Sequence, residues 1–248
     1  KGTVVVHADG SYIYTPNANA NGIDSFKVIV DDGHGGTTLS TITVNITPVN
    51  DAPTVTRTPE TLTTPEDTQV NGQITGSDVD GDTLTYSIEV PPAHGTVSID
   101  ATGQYIYKPA ANYNGTDSFT VKVDDGQGGT ATITVPVQVT PVNDAPTTAN
   151  QHLNTNEDVA VTSTIAGSDI DNDTLTYSVS TQPSKGMVTV DPIPGQFTYI
   201  PAQDANGQDS FDVIVSDGQG GQVISKVVID IAPINDAPIA TISPEALT

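Results

Sequence analysis

The chain has 248 residues, with 30 Asp and Glu against 7 Lys and Arg, a formal charge of −23 and no cysteine. So acidic a surface excludes nucleic acid and anionic membranes, which are held through Lys/Arg clusters, and makes a cation the natural partner. Disulfides and thiolate metal sites are excluded as well. With 35% apolar but only 15% charged residues, the chain can build several small cores and is not a polyelectrolyte tail. No apolar run approaches the ~20 residues of a membrane-spanning helix, so direct membrane insertion is not expected. The opening "KGTVVVHADGSYIYTP" reads as domain material and not as a signal peptide.

In chain order, residues 1–49 match only the second half of a unit that later appears whole. "DSF" at Asp24 returns at Asp117 and Asp209, and "PVNDAPT" at Pro48 returns at Pro141 and, as "PINDAPI", at Pro233. The division expected is a C-terminal half repeat at 1–49, complete repeats at 50–142 and 143–234, and the start of a further repeat at 235–248. A half sandwich leaves edges and apolar faces open, so a longer parent chain or another chain is expected to cover residues 1–49.

The first complete repeat reads as β throughout. A short strand near "VTRTPETL" is followed by "TQVNGQI", "TLTYSIEV", "GTVSID", "QYIYKPA", "DSFTVKV" and "TATITVPVQV". Seven short alternating segments punctuated by Gly, Asn, Asp and Pro predict an all-β chain of tandem Ig-like, seven-stranded Greek-key sandwiches joined end to end. Asn-Gly pairs at Asn21, Asn71, Asn114 and Asn206 mark turns. Pro136 places its strand at an edge or at a bulge.

Between the second and third of these strands lies "SDVDGDTLTYS", Ser77–Ser87, with Asp78, Asp80 and Asp82 at alternate positions. Carboxylates so spaced repel unless a cation lies among them. The EF-hand loop is excluded, because Thr83 stands where that loop needs its sixth-position glycine and the flanks are strands. In the second complete repeat the loop returns as "SDIDNDTLTYS" with Asp169, Asp171 and Asp173, whereas Glu89 is replaced by Ser180. The chemistry therefore belongs to the aspartates.

Three further acidic features recur in register: Glu66–Asp67 with Glu157–Asp158; the linker pairs Asn50–Asp51, Asn143–Asp144 and Asn235–Asp236; and Asp32, Asp125 and Asp217 of the glycine-rich "DDGHGG", "DDGQGG" and "SDGQGG". Any one of these could be a turn residue. Their repetition together, with so few bases to offset them, points to oxygen-only sites for a hard cation.

The ordered set "TPEDT", "SDVDGDTLTYSI", "SIDATG" and "TATITVPVQVTPVNDAP" resembles the cadherin domain and its bacterial tandem relatives in large repetitive adhesins, including VCBS-type repeats of RTX-type adhesins. The resemblance covers nearly the whole chain. It implies Ca2+ held at domain junctions by two domains and their linker. One junction would use Asn50, Asp51, Asp78, Asp80 and Asp125. The next would use Glu66 from the preceding repeat with Asn143, Asp144, Asp169, Asp171 and Asp217. Two departures imply fewer or weaker ions than cadherins hold. Pro48, Pro141 and Pro233 replace the family's first junction aspartate, and "KPAANYNG" lacks an acid where the family has one, with Asp117 as a stand-in.

No nucleophile-and-base pair recurs, and His7, His34, His94 and His152 are not repeated in register, which predicts surface histidines and no enzymatic function. The function expected is that of calcium-stiffened extender repeats in a secreted bacterial surface or biofilm adhesin, whose partners are calcium ions, neighbouring repeats and other copies of itself. The alternative is a carbohydrate-binding or homophilic adhesion module. Scarce surface aromatics weigh against it.

Overall fold

The computed structural model describes residues 1–238. The further repeat expected over 235–248 therefore lies, from residue 239 on, outside the described residues. Two compact units emerge, Lys1–Pro141 and the chain from Val142 onward. Every regular element described is a strand.

In the first unit, residues 1–49 form β1 (Gly2–Val6), β2 (Tyr12–Pro16), β3 (Gly22–Asp31) and β4 (Thr37–Ile46). They pair only as two hairpins, β1 with β2 and β3 with β4. There follow β5 (Thr54–Thr58), β6 (Leu62–Pro65), β7 (Val70–Ser77), β8 (Thr85–Val90), β9 (Gly95–Ile99), β10 (Gln104–Pro109), β11 (Gly115–Asp124) and β12 (Thr130–Thr140). These make two four-stranded sheets, ordered β5-β7-β10-β9 and β6-β12-β11-β8. The first of the seven expected strands is thus divided. Its start, β5, runs antiparallel to β7, and its end, β6, crosses to the other sheet and runs parallel to β12.

Pro136 falls where that arrangement can tolerate it. β6 covers β12 only from Val137 to Thr140, so the outer edge at Pro136 has no strand whose ladder needs an amide. Beside it, the Arg57 guanidinium donates to the Thr134 carbonyl at 2.8 Å.

The second unit repeats the plan with β13 (Thr147–Thr148), β14 (Gln151–Asn156), β15 (Val161–Thr164), β16 (Gly167–Ser168), β17 (Thr176–Thr181), β18 (Gly186–Val190), β19 (Gln196–Pro201), β20 (Gly207–Ser216) and β21 (Gln222–Ala232). One sheet is β14-β21-β20-β17, with β14 parallel to β21; facing it are β15-β19-β18 and the short pair β13-β16.

The core follows from strand alternation, since every second side chain points inward. In β11 and β12 the inward residues are Phe119, Val121, Val123, Val135, Val137 and Val139, all buried, and they meet Tyr105 and Tyr107 from β10. Phe119 lies edge-on to Tyr105 at 5.2 Å and stacks parallel to Tyr107 at 6.3 Å. Phe211 has the same two contacts with Phe197 and Tyr199 at the same separations. These offset and edge-to-face geometries suit the ring quadrupoles.

The aspartate of each "DSF" explains why the motif recurs. Asp209 is buried, and its carboxylate accepts the amides of Ser184 (2.9 Å), Lys185 (2.8 Å) and Ser210 (2.9 Å) and the hydroxyls of Ser184 (3.0 Å) and Tyr199 (2.8 Å). It thereby ties the β17–β18 connection to the start of β20. Asp117 does the same with Ala93, His94, Ser118 and Tyr107. Asp117 therefore acts as a structural clasp.

Burial alone would raise the Asp209 carboxyl, but the Tyr199 hydroxyl and the three amides outweigh it and hold the carboxyl below its ordinary value. Because the folded value is depressed, the stabilisation is full above the unfolded value and is lost as pH falls through the folded one. Asp209→Ala strands several donors and should cost about 3 kcal/mol at pH 7, while Tyr199→Phe, which removes one donor, should cost about 1.5 kcal/mol. Denaturant unfolding as a function of pH checks both. The Asp209→Ala penalty should shrink in acid, where the parent loses the same interactions.

Candidate metal sites at the repeat starts

The loop after β7 is short and curls back on itself. Asp78 Oδ1 accepts the amides of Asp80 at 2.8 Å and Asp82 at 3.4 Å, which turns all three carboxylates to one side. Gly81 completes the turn at a positive φ of 81°, and its counterpart Asn172 has φ 64°, the left-handed region that Gly and Asn enter most readily. In the second unit Asp169 Oδ1 accepts Asp171 N at 2.9 Å and Asp173 N at 3.4 Å.

The linker residues fold onto these loops. Asp51 N donates to Asp80 Oδ2 at 2.9 Å, and Asn50 Nδ2 to Asp125 Oδ2 at 2.8 Å. In the second unit Asp144 N donates to Asp171 Oδ2 at 2.8 Å, and Asn143 Nδ2 to Asp217 Oδ2 at 2.9 Å. Asp125 and Asp217 are buried and held from behind: Oδ1 accepts Gln127 N and Gly129 N in one, and the amides of Gln219, Gly220 and Gly221 in the other. Here the glycines are required, because a Cβ at Gly129 or Gly221 would sit 2.1 Å from the carboxylate oxygen of Asp125 or Asp217.

The structure thus brings Asn50, Asp51, Asp78, Asp80 and Asp125 together within the first unit, and Asn143, Asp144, Asp169, Asp171 and Asp217 together within the second. Glu66 is buried at the opposite end of its own sandwich from Asp125, just past β6, with its amide on the Thr140 carbonyl at 2.9 Å.

Two members of the clusters were missing from the residue set that the resemblance implied. Asp82 lies within ligand-sharing distance of Asp78 and Asp80, and Asp173 within that of Asp169 and Asp171. The alternating spacing was the signal for both. A third group is Asp158, Asp204 and Asp236, with Glu157 buried beside it and accepting the Ile234 amide. Asp204 could have been found by laying "IPAQDANG" on "KPAANYNG", where it answers Asn112; the acid absent from one repeat is present in the other.

The electrostatics agree with a site built around positive charge. Burial first, then the charges of Asp78, Asp125 and Asp80, push the Asp82 carboxyl up. Burial and then Asp169, Asp171 and Asp217 do the same to Asp173, and burial, Asp204, Glu157 and Asp158 to Asp236. Asp125 and Asp217 are instead pulled down, chiefly by the amides of Asn50 and Asn143. One oxygen of each loop, Asp78 Oδ2 and Asp169 Oδ2, is buried without a hydrogen-bond partner. An all-oxygen donor set that includes an orphaned buried carboxylate oxygen fits a hard divalent cation.

The profile of bacterial cadherin-like domains matches residues 1–48 and 143–233, more than half of the chain. The chain belongs to the bacterial cadherin-like domain family. Between those two cadherin-like stretches, residues 50–138 match the bacterial Ig domain. Among solved structures the cadherin-like chain is similar in fold to protocadherin gamma B2 extracellular cadherin domains 1–5, at 17% identity, a TM-score of 0.59 and coverage of 94% of this chain and 51% of that one. It is similar also to the protocadherin gamma B4 extracellular domain, at 13% identity and a TM-score of 0.55, covering 92% and 41% of the two chains. A curated relative, integrin beta-like protein E of Dictyostelium discoideum, is 25% identical over 211 residues, 73% of this chain but 11% of the relative's length. These are adhesion-type, tandem cadherin-like domains.

The raised Asp173 carboxyl carries a testable sign. With no cation, neutralising it removes repulsion from Asp169, Asp171 and Asp217. Asp173→Asn should therefore melt higher than the parent in chelator yet bind a divalent cation about tenfold more weakly, because the site loses a charged ligand. Thermal melts and a cation titration, run on both proteins at pH 7, check the two halves separately.

Proposed function

We propose that these residues are calcium-binding extender repeats of a large secreted bacterial surface or biofilm adhesin, divided at 1–49, 50–142, 143–234 and 235–248. They would act as spacers that carry a distal binding region away from the cell. The observation that carries this reading is the duplicated constellation in which linker residues Asn50–Asp51 and Asn143–Asp144 are bound onto a loop of three aspartates and a buried fourth. A cation held there would fasten the linker to the sandwich that follows it. Glu66 of the preceding repeat is the group that would extend the hold across the second junction.

Calcium suits these ligands better than softer metals do, since every donor is oxygen and neither cysteine nor histidine takes part. Membership of the bacterial cadherin-like family supports an extracellular setting, and the absence of cysteine agrees with it. Within the site the protein's own groups do distinct things. Asp125 and Asp217 are preorganised by backbone amides. Asp78 and Asp169 shape the loop through one oxygen and leave the other for the ion. The Asn side chains neutralise no charge but fix where the carboxylates point.

Binding to the folded state alone adds RT ln(1 + [L]/Kd), about 2.7 kcal/mol at a hundredfold excess over Kd. The melting midpoint should therefore rise in millimolar calcium and fall back with chelator. Small-angle scattering on the full chain should show a narrower spread of distances with calcium. The Asp169→Ala, Asp171→Ala double variant should move the calcium profile part of the way toward the chelated one, because the Asp78–Asp80 site is untouched, while each sandwich stays folded. A midpoint indifferent to calcium would sink the reading.

A further inference from the structure

Three of the four Asn-Gly pairs stand just ahead of β3, β11 and β20, which open at Gly22, Gly115 and Gly207; the fourth, Asn71–Gly72, lies inside β7. All four asparagines are exposed. What differs is the group set over the peptide between the two residues. Lys185 Nζ donates to the Asn206 carbonyl oxygen at 2.8 Å, and Lys1 Nζ to that of Asn21 at 2.7 Å. Each ammonium also lies against the glycine that follows, since a Cβ added at Gly207 or Gly22 would stand 3.1 or 3.2 Å from it.

The other two pairs are placed differently. In the first complete repeat His94 holds the position of Lys185, and its ring stacks on Tyr113 at 4.1 Å. The Tyr113 hydroxyl donates to the Thr116 carbonyl at 2.7 Å, and this hydroxyl, not a cation, is the group nearest a Cβ added at Gly115. Asn71 and Gly72 are held in the ladder with β10, opposite Ile106 and Tyr105.

An Asn-Gly peptide is open to attack by its own backbone, because glycine has no Cβ to hinder the approach. The Gly207 nitrogen gives its proton to hydroxide and attacks Asn206 Cγ. The new C–N bond closes a succinimide, the Cγ–Nδ2 bond breaks, and the side-chain nitrogen leaves as ammonia. Water then opens the ring at either carbonyl, leaving aspartate or isoaspartate. Amide resonance places the charge of the deprotonated nitrogen largely on the Asn206 carbonyl oxygen, the atom that Lys185 Nζ contacts. A cation fixed where charge develops lowers the barrier.

We propose that Asn206–Gly207, and by the same arrangement Asn21–Gly22, are modification sites at which a lysine promotes conversion of asparagine to aspartate and isoaspartate. At Asn206 the product adds a carboxylate two residues from Asp204. Isoaspartate also adds a methylene to the backbone just ahead of β20, the strand that carries the Asp209 clasp.

The test incubates the full chain in mildly alkaline buffer below its melting point and follows all four asparagines by peptide mass mapping that separates isoaspartate from aspartate. Asn206 and Asn21 should convert about tenfold faster than Asn114 and Asn71. Lys185→Met keeps the backbone amide that Asp209 accepts, and it should bring Asn206 down to the Asn114 rate while leaving Asn21 unchanged. In denaturant the four rates should converge. Equal rates at Asn206 and Asn114 in the folded chain overturn the proposal, as does an Asn206 rate indifferent to Lys185→Met. A faster Asn206 in that variant overturns it too, because the lysine would then serve only to latch the turn. So does a ranking that persists in denaturant, since local sequence and not the fold would set it.

Discussion

The packing of one phenylalanine between two rings of the facing sheet organises each sandwich. Phe119 touches Tyr105 edge-on and Tyr107 face to face, and Phe211 does the same with Phe197 and Tyr199. The two sheets can approach only at the separation and offset these rings allow. That sets where β10 lies over β11, and β19 over β20. Two residues before each phenylalanine stands the clasp aspartate, on the same face of the strand and aimed toward the tyrosine hydroxyl and the incoming loop. A three-residue motif therefore supplies both the centre of the core and the latch that closes one end of it.

The opposite end is governed by charge. There the backbone, and not the core, positions the side chains: amides of the aspartate loops and of the glycine-rich hairpins each hold one carboxylate oxygen and leave the other directed to a common space. Without positive charge the arrangement is self-repelling, and the raised carboxyls of Asp82 and Asp173 express that tension. The depressed Asp125 and Asp217 mark where amide donors have already compensated it. Such a site is preorganised, because the ligand geometry is set by hydrogen bonds that exist before any ion arrives.

Residues 1–49 illustrate how strongly burial depends on partners that periodicity cannot supply. The same alternation and the same aromatic contacts occur as in the complete repeats. Yet Tyr12 is half exposed, and among the described residues β2 pairs with β1 alone, whereas β10 pairs with both β9 and β7. Hairpins alone can set register; they cannot close a core.

Much was legible in the residues alone. Period-two alternation bounded by Asn-Gly and Gly-rich turns identified the strands, since local backbone preference and side-chain direction repeat every two residues. Repetition of whole motifs revealed tandem sandwiches, and aspartates at alternate positions marked the loops whose carboxylates cluster and could hold a cation. Other features depended on contacts far apart in sequence. The crossing of β5 into β6, the capture of Asp117 by the Ala93–His94 turn, and the meeting of Asp125 with Asn50 each join residues 20 or more positions apart. Asp117 and Asp125 look alike in a string of letters. Only packing decides that the first is spent on amides inside the fold while the second faces the cluster, because hydrogen-bond partners are assigned by proximity in space and not by residue type.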